Sequence, residues 1–135
     1  MKAVLDTNVL VSALLTPVGV CGKILWLVFE EIVRPCVDMR VLTEYEGVLP
    51  RPALGLDPAD VEDTLNVMRT RSDFVEPSPL GVMLPHPSDT PFLEVAADTG
   101  AVLVTGNLRH FPPNQRAGVT VLRPREFLDL LDRSS

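Results

Sequence analysis

Two kinds of hydrophobic pattern alternate along this chain. Short unbroken apolar runs, Ala3-Val4-Leu5 and Ala101 to Thr105 above all, read as buried strands; Ile32 to Val37, Phe74-Val75 and Val119 to Leu122 read the same way. Between them apolar residues recur every three or four positions, which predicts helices. The first opens at Thr7 or Asn8 and runs to about Leu15, with Val9, Leu10, Ala13 and Leu14 on one side. A break at Thr16-Pro17-Val18-Gly19 precedes a second helix, Val20 to Glu31, with Ile24, Leu25, Val28 and Phe29 turned inward. Asp38 can cap a third helix, Met39 to about Leu49, whose inner stripe is Val41, Leu42, Tyr45, Val48 and Leu49 and which Pro50-Arg51-Pro52 ends. Pro58-Ala59-Asp60 starts a fourth helix with Val61, Leu65 and Met68 as its stripe. A fifth runs from Thr90-Pro91 to a left-handed cap at Gly100, and a last covers Pro124 to Leu131 with Phe127, Leu128 and Leu131 inward. Pro77 to Pro87 is a long irregular segment. Continuous apolar strands that alternate with helices belong to a parallel sheet covered on both faces, an α/β fold.

Composition narrows this picture. The 135 residues fit one domain, 1–135, and 46% hydrophobic residues are ample for a single core. Aromatic residues are only 5%, so that core is expected to be aliphatic. Twelve basic against eighteen acidic residues give a net charge of −6. This is the wrong sign for a basic clamp on nucleic acid, but not for an enzyme that reaches phosphate through bound cations. Cys21 and Cys36 are spaced as neither a zinc site nor a disulfide framework and read as core thiols. Asp6 interrupts any N-terminal apolar stretch, and the longest apolar run, Ile24 to Phe29, is far too short to span a membrane. The expected location is the cytoplasm.

In open parallel sheets, ligands bind beyond the carboxyl ends of the strands, where strand order reverses. Asp6, Thr7 and Asn8 follow the first strand, and Gly106 and Asn107 follow the strand ending at Thr105. Glu44 and Glu46 lie on the third helix, and Asp89 stands at the start of the fifth. No Gly-rich phosphate loop and no nucleophile–histidine spacing competes with these acids. Two carboxylates about 4 Å apart repel by roughly 4 kcal/mol at an effective dielectric near 20. A cluster of them therefore suits a hard divalent ion, Mg²⁺ or Mn²⁺, and the chemistry such ions serve is phosphodiester hydrolysis. Glu44 and Glu46 fall on opposite edges of the inner stripe, and periodicity does not choose between them.

The segment Val4-Leu5-Asp6-Thr7-Asn8-Val9-Leu10-Val11-Ser12-Ala13 resembles the opening of the PIN-domain family. The resemblance recurs at Val41 to Glu46, at Ser88-Asp89-Thr90-Pro91-Phe92-Leu93-Glu94-Val95-Ala96-Ala97, and at Val102 to Phe111. The closing Arg123-Pro124-Arg125-Glu126-Phe127-Leu128 resembles a subgroup described as toxins of toxin–antitoxin pairs. The resemblance implies a three-layer α/β/α fold around a parallel sheet of order 3-2-1-4-5. It implies a Mg²⁺- or Mn²⁺-dependent endoribonuclease of the VapC-like kind, with RNA as substrate and an antitoxin as partner. The family's metal-site residues fall on Asp6, Glu44, Asp89 and Asn107; Thr105 takes its small hydroxyl position, and Asn8 is placed to orient a site carboxylate. This chain departs from the subgroup at His86-Pro87-Ser88-Asp89, where relatives often read Asp-Pro-Asp-Asp, which implies weaker metal binding or one tight ion rather than two.

Each of these residues also has a plain structural reading. Asp6 and Asp89 can serve helix starts through the dipole, and Asn107 can be a turn residue. Glu46 stays an alternative to Glu44. His86 and His110 read as loop residues, and Arg109 as a surface residue or a phosphate contact. The helix around Trp26 is more apolar than a solvent-facing helix needs, which points to core or to a homodimer or antitoxin contact. A haloacid-dehalogenase-like phosphatase needs an acid where Asn8 stands, and a receiver domain needs a late Lys, whereas Lys2 and Lys23 are both early. The rival of another class is a catalytically silent RNA-binding or partner-binding module on the same fold.

Overall fold

The computed structural model describes residues 1–134. Its strands are β1 (Lys2–Leu5), β2 (Arg34–Val37), β3 (Asp73–Phe74), β4 (Val102–Val104) and β5 (Val121–Leu122). Its α-helices are α1 (Thr7–Leu15), α2 (Val20–Phe29), α3 (Met39–Val48), α4 (Pro58–Arg71), α5 (Thr90–Thr99) and α6 (Pro124–Ser134). All pairings are parallel, in the order β3-β2-β1-β4-β5. Ala3, Val4 and Leu5 stand opposite Val102, Leu103 and Val104, so β1 and β4 end level with each other.

The chain steps outward from β1 to β3 through α1–α4, then returns across the sheet through α5 to β4. Right-handed crossovers running in opposite directions lie on opposite faces, so α5 covers the face that α1 and α2 do not. It packs on β1, β2 and β4, while α2 meets α1 and α6, which completes three layers. The core between them is aliphatic, with Tyr45, Phe92, Phe111 and Phe127 as its fully buried rings. Tyr45 donates from its hydroxyl to the Leu5 carbonyl, which pins α3 to the end of β1.

Local chemistry explains most boundaries. Asp38 caps α3, its carboxylate accepting from the Val41 amide at 2.9 Å. Asp57 caps α4 in the same way through the Ala59 amide at 2.8 Å. Gly100 ends α5 at φ +71°, as expected. At the α1–α2 elbow a Cβ on Gly22 would come within 2.0 Å of the Pro17 carbonyl oxygen, so only glycine permits that close turn.

Several boundaries differ from the sequence reading. α2 stops at Phe29 because Glu31 turns left-handed at φ 63° and the amides of Ile32 and Val33 return to the Leu27 carbonyl. β2 therefore starts at Arg34, not Ile32. β3 begins one residue early, β4 and β5 are shorter than expected, and α6 runs on to Ser134. Phe29 keeps 36% exposure rather than facing inward, and Val48, Leu128, Leu131 and Cys21 are half-buried, while Cys36 is fully buried. Among the described residues no single helix is long and apolar enough to cross a membrane.

Candidate active site

The carboxyl ends of β1 and β4 lie side by side, the Asp6 amide donating to the Val104 carbonyl at 2.9 Å. Thr105, fully buried, donates from its hydroxyl to Asp6 Oδ2 at 2.8 Å and accepts from the Asn107 amide at 3.0 Å. Asn8 donates to the same Oδ2 at 3.3 Å and accepts from the Gly106 amide at 3.1 Å. A residue just past β1 is thus clamped by the loop just past β4. Both side-chain donors fall on Oδ2, and the Thr7 backbone amide also favours the ionised carboxylate.

Glu44 arrives from α3 and accepts a short hydrogen bond from the Thr7 hydroxyl. Glu46, one helical edge away, instead pairs with Arg69 of α4 at 2.9 Å. Only Glu44 is brought to Asp6. Asp89 sits at the start of α5, buried to 9% exposure, with His110 Nδ1 3.0 Å from its Oδ2. His86 stacks behind His110, ring centroids 4.2 Å apart. Asn107 contributes its amide to Thr105, and its residue is exposed.

Electrostatics ties the three acids together. Burial pushes the Asp6 carboxyl up to about 6, the Thr105 hydrogen bond opposes the shift, and the charges of Asp89 and Glu44 raise it further. Asp89 is also raised by burial, against the pull of His110 and His86. Tyr45 is pushed well up by burial and by the charges of Asp6 and Glu44, so its hydroxyl stays protonated and structural.

This donor set suits a hard divalent cation. It offers carboxylate and amide oxygens and crowds acids that oppose one another's ionisation, with the Asp89 carboxylate partnered only by the His110 ring among the contacts recorded for it. Among the described residues, no three His, Cys, Asp or Glu side chains already form a closed cage. Hydroxyls tie Asp6 and Glu44 at separate points, Thr105 on one and Thr7 on the other.

Sequence reasoning placed Thr7 beside the site without giving it a partner, and it passed over the two histidines, which read as loop residues. No local signal marks them, because each acts on a residue distant in sequence. A second group of buried acids was also missed. Arg40 binds Asp38 at 2.7 Å and Glu94 at 2.9 Å, and Glu94 accepts from the Leu80 amide at 2.9 Å, which anchors the Pro-rich segment.

The family model described as PIN domain matches residues 2–109. The chain is 30% identical over 110 residues to the uncharacterized protein MJ1680 of Methanocaldococcus jannaschii, covering 79% of this chain and 71% of that protein. Its fold is similar to that of VapBC2 from Rickettsia felis, solved bound to a DNA fragment from its promoter. The TM-score is 0.60 at 17% identity, over 91% of this chain and 98% of the other. At that identity the likeness concerns the fold.

Proposed function

The chain belongs to the PIN-domain family, and from that premise we propose that it is a metal-dependent endoribonuclease, the VapC-like toxin of a toxin–antitoxin pair. One observation carries the reading: Asp6, just past the paired ends of β1 and β4, feels the charges of both Glu44 and Asp89, and no Lys or Arg is recorded against any of the three among the described residues. A buried acid such as Asp6, with no internal cation recorded against it, is matched to an external one.

Asp6, Glu44 and Asp89 would hold Mg²⁺ or Mn²⁺, with Asn107 assisting. When bound, such an ion supplies positive charge to the phosphate oxygens and acidifies water. Thr105 and Asn8 aim Asp6, and Thr7 holds Glu44. Tyr45, locked protonated, takes no part in proton transfer. No side-chain nucleophile is needed. The purified chain should cleave RNA in Mn²⁺ and stop on chelation. Asp6→Asn should lower the rate at least about a thousandfold, on the order of 4 kcal/mol of transition-state stabilisation. Equal cleavage by that variant overturns the reading.

The partner reading rests on a different face. A groove of about 380 Å³ between α1, α2 and α4 is floored by Leu14, Leu25, Trp26 and Phe29 and edged by Asp60 and Asp63. Trp26 stays 52% exposed there. Apolar floor and acidic rim suit an amphipathic antitoxin helix with basic flanks. The fold neighbour, solved as VapBC2 on promoter DNA, supports that assignment. The proposal extends to a homodimer acting in the cytoplasm, with residues 1–135 as one domain. Light scattering and fractionation test these two points.

A second reading, a silent RNA-binding or partner-binding module, draws on His86 and Ser88 standing where relatives carry acids and on the absence of a closed cage. Failure to bind Mn²⁺ at millimolar concentration by calorimetry would favour it.

A further inference from the structure

One loop touches two of the site's acids. It leaves β4 at Thr105, passes through a single 3₁₀ turn at Leu108–His110, and is anchored by Phe111, which is fully buried. The His110 amide donates to the Asn107 carbonyl and the Phe111 amide to the Leu108 carbonyl, each at 3.0 Å, which closes the turn on itself. The Arg116 guanidinium donates to the Phe111 carbonyl at 2.8 Å and ties the turn to the segment that follows. At its start the loop holds Asp6 through the Thr105 hydroxyl. At its end it presents His110, whose Nδ1 lies 3.0 Å from Asp89 Oδ2. His110 thus stands to Asp89 as Thr105 stands to Asp6. Asp6 has a second side-chain donor in Asn8, whereas no other side-chain donor is recorded against the Asp89 carboxylate among the described residues. His86 rests against the His110 ring, centroids 4.2 Å apart, and limits its rotation.

We propose that His110 is the positioning residue for Asp89: its Nδ1–H donates to Oδ2, fixes the carboxylate, and so sets where the acid of α5 stands relative to Asp6. The proposal rests on the nuclease-site reading above and adds a residue to its machinery. A carboxylate on two free torsions wanders unless a donor holds it, and a working site keeps its groups within about 0.5 Å of their productive places. A displacement of about 1 Å can cost about a hundredfold in rate. The ring donates from Nδ1 whether or not Nε2 carries a proton, so the role needs no change of charge. The same contact favours the ionised carboxylate against the burial that opposes it. Because Thr105 and His110 sit on one short loop, a single rigid turn sets two acids that arrive from β1 and α5. His86 has the lesser role of holding the ring plane through stacking.

The test is steady-state cleavage of one RNA oligonucleotide by the full chain in Mn²⁺, together with nitrogen NMR of the His110 ring. His110→Ala should lower kcat about 10- to 100-fold, the range for partners that orient site groups, with KM nearly unchanged. His110→Asn, whose side-chain amide can stand where Nδ1 stands, should recover most of that loss. His110→Phe, which keeps a ring and its stack but has no donor, should fall as His110→Ala does. A histidine that only packs gives the reverse order, with Phe above Asn. In the parent chain the ring should carry its proton on Nδ1, and Asp89→Asn should move that resonance. Thermal unfolding confirms that the variants fold. Parent kcat in His110→Phe, a loss confined to KM, or a ring protonated on Nε2 alone overturns the proposal. Asp6→Asn separates the two readings. If it abolishes cleavage while His110→Ala and His110→Phe cleave as the parent does, the nuclease reading stands and this one falls. If Asp6→Asn cleaves as the parent does, the acid-cluster nuclease falls. The Nδ1–H resonance then decides the histidine alone: its shift in Asp89→Asn supports the bond, and no shift overturns it.

Discussion

Two groups of buried acids share the carboxyl edge of this sheet. Asp38 and Glu94 are as buried as Asp6 and Asp89, each at 5 to 9% exposure. The first pair meets Arg40, whose guanidinium contacts both carboxylates. Their remaining oxygens accept from the Val41 and Leu80 amides at 2.9 Å. That cluster has an internal counter-charge and is structural: it joins α3, α5 and the Pro-rich segment. The other group is built from the same residue types and has hydroxyls, an amide and an imidazole, but no Lys or Arg among the described residues. Burial alone does not mark a functional acid. A buried acid without an internal Lys or Arg is the one whose charge remains to be met, which is why Asp6 and not Asp38 is proposed for the cation site.

Breaking each group should have opposite consequences. The largest stability effect is expected from Arg40→Ala. It strands two buried carboxylates and should cost about 3 kcal/mol in urea unfolding, discounted from the upper range because the Arg side chain is half exposed. Asp6→Asn, by contrast, removes an opposed charge and should leave stability unchanged or higher at pH 7, while activity collapses. Loss of stability in Asp6→Asn as large as in Arg40→Ala would erase the distinction.

The pH dependence sharpens the same contrast. Asp6 is raised from 3.8 to about 6 in the folded chain. A raised carboxyl contributes stability that is fully present below its unfolded value and lost as pH rises through the folded value. Without divalent ions, the chain should therefore lose up to about 3 kcal/mol of this contribution between pH 4 and pH 7. Asp6→Asn should flatten that part of the profile. Mn²⁺ at a hundred times its dissociation constant should return about 2.7 kcal/mol at pH 7. A stability profile identical in parent and variant contradicts the assignment.

Smaller effects test the supports. Thr105→Val keeps shape but removes both the donor to Asp6 and the acceptor for the Asn107 amide. It should cost about 1–2 kcal/mol and reduce cleavage about tenfold. The smallest effect belongs to Glu46→Gln. Its ion pair with Arg69 is exposed, so stability should change by about 0.5 kcal/mol or less and cleavage not at all. Glu44→Gln should impair cleavage and Mn²⁺ binding together. Reversal of that Glu44–Glu46 contrast would relocate the site.

Much of the architecture was legible in the residues. Helical periodicity placed the six α-helices of the described residues, and the signals at Asp38, Pro58 and Gly100 located their ends; the Asp57 cap of α4 came only from the structure. Strand ends were read less well. β3 is two residues, Asp73 and Phe74, because its ladder extends only as far as β2 offers partners at Cys36 and Val37. That length belongs to the neighbour and is not written in the strand itself.

The candidate site divides along the same line. The sequence by itself determined the parallel α/β class and the presence of acids at strand and helix starts, because both follow from spacing within a few residues. Only the tertiary structure decided which acids stay uncompensated. Thr105 reaches Asp6 across 99 positions, Arg40 reaches Glu94 across 54, and Arg69 draws Glu46 away across 23, leaving Glu44 to Thr7. Counter-charge acts through space over a few ångströms, and distance along the chain does not enter it. Identical carboxylates at adjacent helical edges therefore acquire different roles only once the fold has chosen their neighbours.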